Sequence, residues 1–189
     1  MYDFDIILKN YCDRYEKGLE ESEITEIERV YGVTFPKTLK DFLCIGVPIS
    51  QNDWGFPNWR DLSNKNIEII VKRINAPYEW LKIDVLKHGF WQKSWGERPK
   101  TLKETENKYM QIIENAPILL PIYSHRYMPV IDGEDDPPII SSVGRDTVCF
   151  ANNLSDYIKR EFCNECTRQY YDIQDIPFWS DIIRGAFCK

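Results

Sequence analysis

Apolar residues recur at helical spacing in several stretches of the chain. Ile24, Ile27, Val30 and Tyr31 form one stripe over residues 22–31, with Ser22 as cap and Glu23 and Glu26 near the positive end of the helix dipole. Gly32 supplies a left-handed stop, and Pro36 suits the first turn of a second helix with Leu39, Phe42 and Leu43 inward. An earlier helix is expected over 4–17. Residues 48–62 read as a loop holding Trp54, Phe56 and Trp59, punctuated by Gly55 and Pro57. Helical pattern resumes over 66–74, is interrupted at Pro77, and continues over 79–89. An aromatic and basic loop fills 90–99. A helix over 101–115 then turns Tyr109, Ile112 and Ile113 inward.

After Pro117 the pattern changes to short β-rich runs bounded by proline: 118–123 and 128–131, then an acidic turn over 132–138. Residues 139–143 and 147–151 form a hairpin around Gly144-Arg145-Asp146. Helices follow over 154–162, capped by Asn152 or Asn153, and over 178–187. Helices first and strands later predict an α+β fold, with a largely antiparallel or mixed central sheet flanked by helices. One domain spans 1–189, as a length of 189 residues suggests.

Charge narrows the function. The net charge is −6, and it is uneven: residues 72–108 hold 9 basic and 5 acidic groups, while both flanks are acidic. Such a chain is poorly suited to neutralising phosphate backbones and well suited to a basic partner. No run of apolar residues is long enough for a membrane helix. The opening Met1-Tyr2-Asp3-Phe4-Asp5 carries acids where a secretory signal carries Lys or Arg. The expectation is a cytoplasmic protein whose six Cys are reduced.

Catalytic and metal signatures are weak. Cys163-Asn164-Glu165-Cys166 is a lone CxxC without a second ligand pair at zinc spacing. His125 lies in Tyr123-Ser124-His125-Arg126-Tyr127, with no nucleophile elbow or cysteine-protease signature around it; a hydrogen-bonded His at a strand end is the default. Neither a Walker A pattern nor a dinucleotide fingerprint is found. Asp132-Gly133-Glu134-Asp135-Asp136 lacks EF-hand spacing and reads either as a solvated turn or as an acidic lip for a basic partner. Trp54, Phe56 and Trp59 are either interface anchors or a lid over a core edge. No cofactor, metal or small-molecule substrate is expected.

The order of motifs resembles the SUKH superfamily of Smi/Knr-like domains. Ile24-Thr25-Glu26-Ile27-Glu28, Tyr31-Gly32-Val33-Thr34-Phe35-Pro36 and Leu39-Lys40-Asp41-Phe42-Leu43 look like its opening signature. Trp59-Arg60-Asp61-Leu62 resembles its Trp-x-x-Leu segment. Leu120-Pro121-Ile122-Tyr123, within 117–129, resembles its central strand, and 143–162 its later strand, Asn-Asn-Leu and helix. The likeness covers most of 22–162, leaving 163–189 as a helical extension. It implies binding rather than catalysis. Many bacterial members are immunity proteins that neutralise a cognate toxin domain, often a nuclease, inside the cell. Others are regulatory adaptors for cellular proteins, which is the alternative reading; a small hydrolase using His125 or a thiol is the third. Family members recognise different partners through different surfaces, so the site residues here rest on chemistry alone. They are Asp132, Glu134, Asp135 and Asp136, the aromatics Trp54, Phe56 and Trp59, and, second, His125, Arg126 and Tyr127.

Overall fold

The computed structural model describes residues 12–163 and 175–187. Within them lie six α-helices and six strands, in an α+β arrangement. The chain opens with strand β1 (Arg14–Lys17), then helices α1 (Glu21–Tyr31) and α2 (Lys37–Ile45), and strand β2 (Gly46–Ile49). A loop leads to the long helix α3 (Asn64–Lys87) and a 3₁₀ turn at Lys93–Trp95. Helix α4 (Leu102–Ile113) precedes four strands: β3 (Leu119–Tyr123), β4 (Arg126–Pro129), β5 (Ile139–Val143) and β6 (Asp146–Ala151). Helices α5 (Leu154–Phe162) and α6 (Trp179–Phe187) follow.

The four later strands form an antiparallel meander in sequence order, β3-β4-β5-β6. Tyr127 pairs with Ile140, and Ser142 with Thr147. Strand side chains alternate between faces, and here both faces are covered. Leu120, Ile122, Met128, Ile139 and Ala151 point to a core shared with α1, α2, β2 and α5. Leu119, Tyr127 and Ile140 point to a second core shared with α3, α4 and α6, through Leu81, Val85, Tyr109, Trp179, Ile182 and Ile183. α3 belongs to both: Ile70 lies in the first core, Leu81 and Val85 in the second.

Several boundaries differ from expectation, each for a physical reason. α1 starts at Glu21, with Glu20 rather than Ser22 as cap. Glu20 N donates to Glu23 Oε2 at 2.8 Å, closing a capping box two residues earlier. Gly32 ends the helix in the left-handed region at φ 63°, as expected. Residues 14–17, expected to be helical, form β1, which pairs antiparallel with β2 in a separate two-stranded sheet; residues 4–11 lie outside the described residues. Pro48 is in β2, not in a loop. It sits opposite Tyr15 in a sheet of two edge strands, where a missing N–H is tolerated.

Pro77 does not divide α3. The helix continues through it, forgoing the hydrogen bond to the carbonyl of Arg73. Ala76, Pro77, Leu81 and Val85 are all buried, and that burial offsets the lost bond. Thr101, expected as the first residue of its helix, is instead the cap of α4, accepting from Glu104 N at 3.3 Å. The 178–187 helix begins at Trp179 and packs into the second core. No helix among the described residues is long and apolar enough to cross a membrane.

Candidate functional site

The two groups of residues singled out for partner binding lie at opposite ends of the four-stranded sheet. β4 leaves the Ser124–His125 turn at Arg126 and ends at Pro129, and the acidic loop follows it. The length of β4, ~13 Å at ~3.3 Å per residue, separates the two.

At the acidic end, Asp132 and Asp135 are exposed, and Glu134 and Asp136 are half-buried. The loop is held by its backbone. The Asp135 carbonyl accepts from Thr38 N at 3.0 Å and from Thr38 Oγ1 at 3.2 Å, tying it to the first turn of α2. Glu134 N donates to the Ile131 carbonyl, and Asp136 N to Glu134 Oε1. Because the carbonyl of Asp135 makes the anchor, its carboxylate and that of Asp132 remain on the outside of a fixed turn.

At the other end, the loop before α3 docks on the β3–β4 turn. Ser124 holds a left-handed φ of 51°, its N–H donates to the Trp54 carbonyl at 2.7 Å, and its own carbonyl receives Arg73. Arg73 is only 2% exposed. Its Nη1 donates to the Gly55 carbonyl at 2.9 Å, its Nη2 to Ser124 O at 3.4 Å, and its Nε has no partner. Burial pulls its guanidinium down to about 10, which still leaves it charged at neutral pH. Its guanidinium carbon lies 5.7 Å from the Trp54 ring centroid. Trp54 itself stacks on Trp80, with centroids 5.4 Å apart and planes 24° from parallel.

Trp80 was not among the expected site residues. Its position seven residues after Arg73, on the same helical face, was the available signal. The β5–β6 turn closes this end: Arg145 N donates to Asp84 Oδ2 at 2.8 Å, and Asp84 Oδ1 meets His88 Nδ1 at 2.9 Å. A side chain at Gly144, where φ is 61°, would collide with that carboxylate.

Of the three loop aromatics, only Trp54 faces solvent, at 38% exposure. Phe56 and Trp59 are core residues and do not offer their rings to a partner. Trp59 packs edge-on against Tyr31 and Phe35, and Phe56 lies against Tyr123 and Phe162. Tyr127 is likewise buried, on the second face of the sheet. Loop position suggested exposure for the first two, but their rings turn inward to close the first core.

His125 and Arg126 are half-buried on the same hairpin. Ser124 Oγ is 3.0 Å from His125 Nδ1. Burial, helped by the neighbouring Arg126 charge, lowers the His125 pKa. Arg126 does structural work: its guanidinium lies 3.9 Å from the Phe150 ring centroid, reaches Ser141 Oγ at 3.0 Å and Glu161 Oε2 at 3.3 Å, and so ties β4 to β5, β6 and α5. Cys163 ends α5, while Cys166 lies outside the described residues.

Compared with protein-family models, with curated proteins and with solved structures, the chain matches none.

Proposed function

We propose that this chain is a non-catalytic immunity protein that binds and neutralises a cognate toxin domain with a basic face, such as a nuclease, in the cytoplasm. The observation that carries the reading is the acidic loop after β4, fixed through the Asp135 carbonyl with Asp132 and Asp135 exposed. A turn held by its backbone presents carboxylates with little ordering cost on binding. A nuclease cleft is basic because its substrate is phosphate, so negative charge on a rigid turn suits it and raises the association rate. The acidic flanks of the chain add to that field. The motif order shared with SUKH domains supports the same reading, from the capped first helix through the Tyr31-Gly32 stop to the Phe35-Pro36 step.

The test is co-expression with the C-terminal domain of the large protein encoded immediately upstream. Rescue of growth, together with nanomolar binding of the purified pair, is the expected result. Binding to a housekeeping protein without rescue would replace immunity by the adaptor role.

A further inference from the structure

Asp132 is followed by Gly133, and no other Asp or Asn in the chain precedes a glycine. In such a pair an aspartyl side chain closes most readily on its own backbone. The Gly133 nitrogen and the Asp132 Cγ are joined through the carbonyl carbon, Cα and Cβ of Asp132, so a five-membered ring needs only rotation about bonds of that residue. Glycine places no Cβ beside the attacking nitrogen.

The structure leaves both reacting groups open. Asp132 and Gly133 are exposed. Among the described residues, the Asp132 carboxylate has no hydrogen-bond or ion-pair partner, and the Gly133 N–H donates to no acceptor. Nothing lies within 4 Å of the position that a Cβ on Gly133 would take, so no neighbouring wall blocks a ring there. Other aspartates are held. Asp61 accepts from Ser63 N, Asp84 from Arg145 N and Asp156 from Asn152 N.

The turn itself resists little. Gly133 has a φ of 76°, and one backbone bond, from Glu134 N to Ile131 O at 3.1 Å, closes the turn across the pair. The anchor of the loop lies further on, at the Asp135 carbonyl. Rotating Asp132 into the reactive geometry breaks the first bond and keeps the second. The net worth of one such bond slows the step by about tenfold.

We propose that Asp132 is a site of spontaneous aspartyl isomerisation in the folded chain. The Gly133 nitrogen attacks the Asp132 Cγ and a C–N bond forms. The carboxyl hydroxyl leaves with the proton of that nitrogen as water, giving a cyclic imide. Water then opens the imide at either carbonyl. One opening restores Asp132, and the other links Gly133 through the former side chain. In the second product the backbone is one methylene longer and the carboxylate sits directly on Cα, so the 131–134 bond loses its register. The chemistry does not depend on the toxin-binding reading. Under that reading, it also alters one of the two exposed carboxylates of the partner surface.

The experiment incubates the native full chain and a free peptide of residues 129–136 in neutral buffer at physiological temperature. Peptide mapping quantifies isoaspartate at each position, and enzymatic methyl-esterification of isoaspartyl carboxylates gives a second readout. Isoaspartate should accumulate at Asp132 ahead of every other Asp, at a rate within about tenfold of the peptide's. Asp132→Glu, which would have to close a six-membered ring, should remove the signal. Asp132→Asn, which expels ammonia rather than water, should speed it. A native rate more than about tenfold below that of the peptide would mean that the fold locks the turn, and would overturn the proposal. So would a signal led by another Asp, or no acceleration in Asp132→Asn.

Discussion

Arg60 Nε lies 2.8 Å from Glu23 Oε1, while Nη2 of the same side chain donates to the carbonyls of Lys17 and Gly18 at 2.8 and 3.1 Å. Its Nη1 also meets Glu16 at 3.1 Å. One guanidinium thus joins the end of β1, the first turn of α1 and the loop before α3. Arg60→Ala should lower stability by about 1–2 kcal/mol, mainly through the two carbonyls left unpaired. Arg60→Lys should recover only part, because an ammonium cannot reproduce the fork. Urea denaturation of the three proteins checks this. The Arg60 hydrogen bond also holds the Glu23 carboxyl below its ordinary value. That contribution is present above the unfolded carboxylate pKa and is lost as pH falls through the lower, folded one.

His125 gives a second pH signature, at higher pH. Its folded pKa is lowered by burial, so the unfolded chain takes up a proton first as pH drops. Stability should therefore decline as pH falls from ~6.5, the unfolded value, through the folded pKa. In His125→Gln that segment of the stability curve should flatten, with no change above pH ~7. Melting temperature measured from pH 8 to 5 distinguishes the two.

Trp54 and Trp59 should behave oppositely. Trp59 is 1% exposed, and Trp59→Ala should cost about 3–5 kcal/mol. Trp54→Ala removes the stack on Trp80 and the Arg73 contact at a solvent-facing position, and should cost about 1 kcal/mol. Thermal denaturation of both variants checks the contrast. Equal losses would mean that Trp54 is as integral to the core as Trp59.

Asp132 and Asp135 can be reversed without disturbing the anchor of their loop, which is a backbone carbonyl. Asp132→Lys/Asp135→Lys should keep the wild-type melting temperature. It should lower the association rate with a basic toxin domain about tenfold at low salt and flatten its salt dependence. Stopped-flow association at several ionic strengths measures both.

Local signals made much of the fold legible. Gly32, Thr101 and Asn153 mark helix ends through their own backbone or side-chain chemistry, and the Gly144 turn marks its hairpin. β1 was illegible because Arg14-Tyr15-Glu16-Lys17 shows no buried alternation and becomes a strand only by pairing with residues 46–49. The continuity of α3 through Pro77 depends on burial against distant segments, which local propensity does not contain. The candidate site divides in the same way. The exposed acids of the 132–138 turn follow from composition, whereas the inward turn of Phe56 and Trp59 follows from packing. The partnership of Arg73 with Gly55 and Ser124 joins residues 18 and 51 positions apart, beyond any short motif.

The position of α6 has a consequence for the chain's length. Ile176, Trp179, Ile182 and Ile183 cover the face of the sheet that carries Leu119, Tyr127 and Ile140. A version ending at Phe162 would leave that face to α3 and α4 and expose the part on which α6 packs. The C-terminal segment is therefore an inner wall of the fold. A chain without α6 would need polar residues on the uncovered part of the sheet, or another copy of itself to close it.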